Sequence, residues 1–246
     1  MLLPETLEKM RKLRLFEMAR SLETRLARQD HADLTLAEVL GLIVDDEWLA
    51  RENAGFAARL RSAKFKDRAT IEDVDYKTSR GLKKADILEL SQMKWIEKKQ
   101  NIAFTGPAGA GKSYLAQALG NKACRDGYRV IYLRMPKLLT SLVQARADGS
   151  YANLLKRLEK AQVFILDDLG VCDLKESERR DLLEIIEDRY GIGSTVITSQ
   201  LPIKDWHTYF GSGRAADSLC DRLTHNCHRI ELLPQAESQR KLRATL

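Results

Sequence analysis

The spacing of apolar residues changes once along the chain. From Leu2 to about Arg68 it repeats every three or four positions, as in Leu7, Met10, Leu13, Leu15, Met18 and Leu22, and again in Leu36, Val39, Leu40, Ile43 and Leu49. This spacing predicts amphipathic helices. From about residue 97, short apolar runs alternate with helical spacing, which is typical of parallel strands joined by crossover helices. The pattern therefore predicts an α/β domain preceded by a small all-helical domain.

The boundaries of these elements follow from the same pattern. We expect strands over 101–105, 128–134, 162–167, 194–199 and 228–232, and helices near 112–125, 136–147, 151–161, 175–190, 203–210 and 215–226. Thr35 followed by Glu38 fits a capping box, which predicts a helix start at that point. We divide the chain into a helical N-terminal domain over 1–70, a linker and entry helix over 71–96, and the α/β domain over 97–246.

Composition and charge narrow the class of protein. The 246 residues are 44 % hydrophobic and 31 % charged, and no apolar run approaches the ~20 residues of a membrane span. The N-terminus lacks the layout of a signal peptide, so we expect a cytoplasmic protein with no membrane partner. The formal charge of +6 permits nucleic-acid binding without establishing it.

The four cysteines are too few for a disulfide scaffold in a chain of this length. Cys220, His225, Cys227 and His228 lie close together in sequence and are residue types that bind zinc. Their spacing contains neither the CxxC nor the HxxxH pair of zinc fingers. We therefore interpret them as ordinary helix and strand residues.

Residues 106–113 match the phosphate-binding pattern GxxxxGK[ST] and lie between a predicted strand and a predicted helix. This arrangement directs backbone N–H groups and a helix N-terminus at a polyphosphate. We expect Lys112 to reach the β- and γ-phosphates and the Ser113 hydroxyl to hold Mg²⁺. The predicted nucleotide contacts are Gly106, Pro107, Ala108, Gly109, Ala110, Gly111, Lys112, Ser113 and Tyr114.

A second element is the apolar run from Val163 that ends in Asp167 and Asp168. We expect Asp167 to organise Mg²⁺ together with Ser113. Asp168 is placed to orient or deprotonate the attacking water. Many ATPases carry Glu at this second position, and because Asp is one methylene shorter we expect slow hydrolysis.

Two further groups are predicted to act on the triphosphate. The strand ending in Thr198-Ser199-Gln200 brings a polar side chain to the same sheet edge; we select Gln200 as catalytic, with Ser199 as the alternative. Arg222, near the end of a late helix, is predicted to reach the nucleotide of a neighbouring subunit, with Arg214 as the alternative. Arg222 could instead form an intrahelical ion pair with an aspartate.

The end of the helical region is strongly basic. Its predicted DNA-binding residues are Arg59, Arg61, Lys64, Lys66 and Arg68. Most charge runs are solvated helix faces, and that alternative stays open here. The aromatic Phe65 and the basic balance of the chain favour contact with nucleic acid.

Taken together, these segments resemble the AAA+ ATPases, and within them the IstB/DnaC group. The likeness covers the whole chain. It is carried by residues 106–113, by Leu166-Asp-Asp-Leu-Gly170, by Thr198-Ser-Gln-Leu-Pro202 and by the run from Asp221 to Leu232. The N-terminal stretch Leu13–Glu23 is more similar to IstB-type transposition helpers than to DnaC. The resemblance implies an AAA+ P-loop core with a five-stranded parallel sheet and no C-terminal helical lid. It leaves Arg240 as the only candidate for a second sensor arginine.

The same resemblance implies a function. It predicts an ATP- and Mg²⁺-dependent homo-oligomer in the bacterial cytoplasm that binds double-stranded DNA. The oligomer would deliver that DNA to the transposase of the same mobile element and stimulate transposition. The alternative is a DnaC-type loader of a replicative helicase, which shares every nucleotide-site residue. A metabolic P-loop kinase is disfavoured because no acceptor-binding domain or lid is evident.

Overall fold

The structure, a computed structural model, describes residues 2–28, 34–76 and 81–234. The chain divides into two compact units, Met1–Ala58 and Arg59–Leu246. The division lies twelve residues before the end of the predicted helical domain. Within the described residues, no helix is both long and apolar enough to span a membrane.

The first unit consists of helices α1 (Leu2–Lys12) and α2 (Phe16–Arg28) and most of α3 (Leu36–Ala63). The predicted capping box at the start of α3 is confirmed. The backbone N–H of Thr35 donates to the Glu38 carboxylate at 2.7 Å, and the N–H of Glu38 donates to the Thr35 hydroxyl at 3.3 Å. Among the described residues of this unit, the buried apolar side chains are few and include Leu7, Ala19 and Ile43.

The second unit contains a sheet of five parallel strands in the order β2-β3-β4-β1-β5. The strands are β1 (Asn101–Thr105), β2 (Val130–Arg134), β3 (Val163–Leu169), β4 (Ser194–Ser199) and β5 (Cys227–Glu231). The central strands β1, β3 and β4 are almost entirely buried. Burial on both faces explains their continuous apolar sequences.

Helices connect and cover the strands. They are α4 (Lys84–Leu90), α5 (Lys94–Glu97), α6 (Lys112–Arg125), α7 (Met135–Asp148), α8 (Tyr151–Glu159), α9 (Glu176–Arg189), α10 (Trp206–Phe210) and α11 (Arg214–Thr224), with a 3₁₀ turn at Ile203–Asp205 before α10. The predicted five-stranded parallel α/β core is therefore confirmed. Where one helix was predicted over 203–210, the structure has the 3₁₀ turn followed by α10. Arg240 and the expected absence of a C-terminal lid concern residues beyond 234, outside the described residues.

Residues 59–70, which we call the basic segment, belong to the second unit. They lie along α6, the helix that follows the phosphate loop. The Arg59 Nε donates to the carbonyl of Cys124 at 2.7 Å, near the end of α6. The Phe65 ring lies so close to Gly120 of α6 that a Cβ added there would be 2.8 Å from the ring. The basic segment is thus packed on the nucleotide-binding helix.

Candidate nucleotide-binding site

Strand order brings the predicted loop and the acidic pair to one edge of the sheet. The loop follows the carboxyl end of β1, and Asp167 and Asp168 lie near the carboxyl end of β3. Strand β4 runs between β1 and β3. Ligands of open α/β sheets bind at the carboxyl ends of the strands, so this edge is the candidate site.

Three glycines of the phosphate loop have positive φ angles, as expected for a loop that turns tightly around phosphates. Gly106, Gly109 and Gly111 have φ values of 135°, 81° and 93°, a region that side chains with a Cβ rarely enter. Gly111 precedes α6, so the N-terminus of this 14-residue helix faces the loop. The Lys112 Nζ lies over the loop and donates to the carbonyls of Gly106 and Pro107, each at 2.8 Å.

Gly106→Ala is expected to destabilise the fold strongly. A Cβ at this position would lie 2.2 Å from the carbonyl oxygen of Leu232, which is backbone on the neighbouring chain segment after β5. The strained φ alone costs about 1–3 kcal/mol, and the clash adds to it. We expect a loss of about 3 kcal/mol or more in the free energy of unfolding, measured by urea denaturation.

Gly127→Ala is the matched control for this substitution. Gly127 also has a positive φ, of 93°, but an added Cβ would meet no atom within 4 Å. The control therefore carries the backbone strain without the clash. Equal losses of stability in the two variants would contradict a close packing of the loop against the segment after β5.

Asp167 is the buried member of the acidic pair, at 2 % exposure. Two hydroxyl groups donate to its carboxylate. The Tyr132 hydroxyl donates to Oδ2 at 2.7 Å, and the Thr198 hydroxyl donates to Oδ1. Burial, followed by the hydrogen bond to Asp167, raises the pKa of Tyr132, so the phenol stays a donor. The two bonds fix the orientation of the Asp167 side chain.

Asp168 has an unusual backbone and a different partner. Its φ is 63°, in the left-handed region, and the pairing of β3 with β4 is irregular between Leu166 and Leu169. The Asp168 Oδ2 accepts a hydrogen bond from the Arg134 Nε at 2.8 Å, and the Arg134 Nη2 lies 2.8 Å from the same oxygen. The hydrogen bond to Asp168 raises the pKa of Arg134. Arg134 therefore holds the carboxylate predicted to orient water.

The sequence did not single out Thr198 as the residue that joins the two aspartates. Its hydroxyl donates to Asp167 and accepts the backbone N–H of Asp168 at 3.0 Å. Ser199 is also buried, but its hydroxyl donates to the Leu169 carbonyl at 2.7 Å. Gln200 is exposed at the following bend. Neither Ser199 nor Gln200 has a hydrogen bond to the acidic pair in the described structure, whereas Thr198 bonds to both of its members.

The available oxygen ligands fit a magnesium ion. Mg²⁺ prefers carboxylate and hydroxyl oxygens and retains several waters, often with substrate phosphates. Ser113 follows Lys112 in the first turn of α6, and Asp167 is an oriented carboxylate whose two oxygens both have fixed hydrogen-bond donors. These residue types and the glycine loop suit a Mg²⁺–triphosphate group.

Comparison with known proteins identifies the family. The family of IstB-like ATP binding proteins matches residues 8–245. The chain belongs to this family. An insertion sequence ATP-binding protein of Sinorhizobium fredii is 47 % identical over 232 residues, covering 94 % of this chain and 95 % of that protein.

Solved structures agree on the fold of this IstB-like chain. The DnaC helicase loader matches with a TM-score of 0.60 at 22 % identity, over 69 % of this chain and 99 % of that one. DnaA from Aquifex aeolicus, bound to AMPPCP, matches with a TM-score of 0.60 at 20 % identity, over 73 % of this chain and 54 % of that one. These neighbours confirm the fold of the α/β core, and the family is one of ATP-binding proteins.

Arg222 lies near the amino end of strand β1, whereas the phosphate loop follows the carboxyl end of that strand. Its backbone carbonyl accepts a hydrogen bond at 2.9 Å from the side chain of Asn101, the first residue of β1. Five residues of strand, about 16 Å, separate that point from the loop. The Arg222 guanidinium contacts Glu187 at 3.1 Å and the Ser218 hydroxyl, and it lines a cleft of about 300 Å³. Neither Asp217 nor Asp221 is its ion-pair partner in the described structure.

Arg214 occupies the other end of α11. It is the first residue of that helix, is exposed, and follows Gly213. Because α11 leads directly into β5, which is parallel to β1, the start of α11 points toward the carboxyl edge of the sheet. The two alternative arginines are therefore separated by about 12–15 Å, the length of the helix between them.

The five basic residues predicted to bind DNA are not equivalent. Arg59 is partly buried and bonded to the Cys124 carbonyl. The other four are exposed, namely Arg61, Lys64, Lys66 and Arg68. None of these four has an ion pair with an acidic residue in the part of the chain that the structure describes. The charges of these four side chains therefore face solvent, whereas Arg59 attaches the basic segment to α6 through its hydrogen bond to the Cys124 carbonyl.

Proposed function

We propose that this IstB-like protein hydrolyses ATP, assembles into an oligomer on double-stranded DNA and delivers that DNA to the transposase of its own mobile element. Membership of a family whose relatives are named for insertion sequences supports the link to transposition. The nucleotide site supports the use of ATP. Stimulation of hydrolysis by DNA and by assembly belongs to the same proposal.

One observation carries the DNA-binding part of the proposal. Four exposed basic side chains lie on a segment that packs directly on α6. Neutralising phosphates with Lys and Arg supplies most of the affinity of proteins for DNA, without regard to sequence. A basic surface attached to the nucleotide-binding helix is suited to a protein whose hold on DNA depends on ATP.

Hydrolysis is assigned to the residues of the carboxyl edge. Lys112 and the backbone of residues 106–111 would bind the phosphates, and Ser113 and Asp167 would hold Mg²⁺, which would supply positive charge to neutralise the triphosphate. Asp168 orients the attacking water. Thr198 fixes the position of Asp167 relative to Asp168 through its two hydrogen bonds. Gln200 is the proposed contact to the γ-phosphate.

Arg222→Ala is expected to lower the kcat of the assembled protein by about 10³-fold or more, because 10³ is the lower limit for loss of an arginine finger. Affinity for ATP should change less than about threefold, because Arg222 lies a strand's length from its own phosphate loop. Steady-state hydrolysis on duplex DNA measures the first and fluorescent-nucleotide titration the second.

Arg214→Ala is the control that separates the two candidate fingers, because Arg214 sits at the other end of α11. Mixing Arg222→Ala with Lys112→Ala subunits should restore part of the hydrolysis, because one supplies the loop and the other the arginine. Unchanged kcat in Arg222→Ala, with a large loss in Arg214→Ala, would transfer the role to Arg214.

The DNA-binding proposal is tested by the salt dependence of duplex affinity. The test variant has Gln at the four exposed positions of the basic segment, Arg61, Lys64, Lys66 and Arg68. The slope of log K against log salt should become shallower by about 0.9 for each phosphate that the protein no longer neutralises. The matched control replaces four basic residues elsewhere in the second unit, at Lys83, Lys84, Lys94 and Lys156. Equal slopes for wild type and the basic-segment variant would leave these residues as a solvated face.

The alternative function is loading of a replicative helicase. The likeness of the core to the DnaC helicase loader favours it, but at 22 % identity that likeness concerns the fold alone. Preference for single-stranded over duplex DNA, or binding to a helicase ring, would support this alternative over transposition.

A further inference from the structure

Gln117 connects the basic segment to the first turn of α6. Its side chain is buried, at 1 % exposure. The Oε1 atom accepts the backbone N–H groups of Lys66 and Asp67, each at 2.8 Å. The Nε2 atom donates to the Asp67 carboxylate and to the Ser113 carbonyl, each at 3.1 Å. All four hydrogen-bonding positions of the amide are therefore used.

Two other contacts hold the basic segment to the nucleotide site. The Thr70 backbone N–H and the Tyr114 hydroxyl are 3.3 Å apart, and Tyr114 follows Ser113 on α6. The Phe65 ring lies 6.2 Å, between centroids, from the ring of Tyr132, whose hydroxyl donates to Asp167. The segment thus contacts the start of α6 directly, and through Tyr132 it is connected to the Asp167 carboxylate.

We infer that Gln117 is a positioning residue that couples DNA contact on the basic segment to ATP binding at the phosphate loop. The inference rests on the proposed DNA-binding role of the segment. Lys66 carries one of the proposed phosphate contacts, and its own backbone N–H is bonded to Gln117. A shift of the segment on DNA therefore changes the hydrogen bond that Gln117 makes to the Ser113 carbonyl.

The coupling is reciprocal. If ATP raises the affinity for DNA by some factor, DNA raises the affinity for ATP by the same factor. That factor is the quantity which Gln117 sets. A side chain that served only to fill space beside α6 would alter stability but not the ratio of two DNA affinities measured on the same folded protein.

The experiment measures duplex affinity by fluorescence anisotropy with and without a slowly hydrolysed ATP analogue. The ratio of the two dissociation constants is the coupling factor, expected to be about 10 or more in wild type. Gln117→Glu keeps the acceptor atoms, loses both donated bonds and faces the Asp67 carboxylate. We expect its factor to fall to within about twofold of one, with ATP affinity in the absence of DNA changed less than about threefold.

A second substitution tests the interaction directly. In Gln117→Glu combined with Asp67→Asn, the new amide at position 67 can donate to the new carboxylate, so the side-chain hydrogen bond returns with its direction reversed. The bond to the Ser113 carbonyl does not return. We therefore expect partial recovery, with a coupling factor at least about threefold above that of Gln117→Glu alone.

Gln162→Glu is the matched control. The Gln162 side chain also accepts a hydrogen bond from a backbone N–H, that of Arg129 at 3.0 Å. It lies just before β3, at the amino ends of the strands and away from the nucleotide site. Its coupling factor should equal that of wild type. If Gln117→Glu does not fold, Asp67→Ala at an exposed position decides the matter, with an expected loss of at least about threefold in the factor.

The outcomes separate the inference from the function on which it rests. If ATP does not change the duplex affinity of the wild-type protein, both the inference about Gln117 and the proposed ATP-dependent DNA binding are overturned. If the wild-type coupling factor is unchanged in Gln117→Glu, the role of Gln117 is overturned while the proposed function stands. The same holds for an unchanged factor in Asp67→Ala if Gln117→Glu does not fold. Coupling that disappears in the variants and stays normal in Gln162→Glu supports the inference.

Discussion

Lys112→Ala is expected to weaken ATP binding by about 100-fold or more. The Lys112 side chain is buried and held over the loop by the carbonyls of Gly106 and Pro107, so it is already oriented toward the phosphate position. Hydrogen bonds to charged groups contribute about 1.5–3 kcal/mol each, and about 2.7 kcal/mol corresponds to 100-fold in affinity. Titration with a fluorescent ATP analogue measures the loss.

Lys122→Ala is the matched control, on the same helix. The Lys122 amine pairs with Asp126 at the far end of α6, and surface pairs contribute about 0–1 kcal/mol. Its affinity for ATP should therefore stay within about twofold of wild type. An ATP affinity in Lys112→Ala within about threefold of wild type would show that nucleotide does not bind at residues 106–113.

Asp168→Asn is expected to lower kcat by at least about 100-fold, the lower limit for loss of a positioned general base. Affinity for ATP should be retained, because Asp168 does not belong to the phosphate loop. Steady-state phosphate release with saturating ATP measures the rate. A kcat within about threefold of wild type would remove Asp168 from the reaction.

Arg134→Ala reports on how Asp168 is held. Removing the ion pair frees the carboxylate to meet water, so we expect hydrolysis without DNA to rise by up to about fivefold, the equivalent of ~1 kcal/mol for a partly exposed pair. Arg134→Ala combined with Asp168→Asn should behave as Asp168→Asn alone. An additive effect in that double variant would show that Arg134 acts independently of Asp168.

Much of the fold could be predicted because local signals agreed. The apolar runs indicated five strands, and the structure shifts their ends by one or two residues. For example, β2 begins at Val130 because Gly127, with φ of 93°, turns the chain just before it. Strand β3 continues beyond Asp167 to Leu169, since the left-handed backbone of Asp168 interrupts the pairing without ending it.

The contacts within the site could not be predicted in the same way. Thr198 lies 31 residues from Asp167, Arg134 lies 34 from Asp168, and Gln117 lies 51 from Lys66. Each contact depends on strand order or on how the basic segment packs on α6. Apolar spacing specifies neither. The sequence also led us to group the basic segment with the helical domain, because α3 continues the helical pattern to Ala63. The contacts of this segment with α6 are not visible in the sequence.

We propose that ATP drives assembly of this protein on double-stranded DNA. Sedimentation velocity tests this with purified protein, duplex DNA of defined length, and ATP analogue, ADP or no nucleotide. We predict a large protein–duplex complex with the ATP analogue alone, absent with ADP and absent in Lys112→Ala. Sedimentation as the same small species in every nucleotide state, or assembly on single strands only, would contradict the claim.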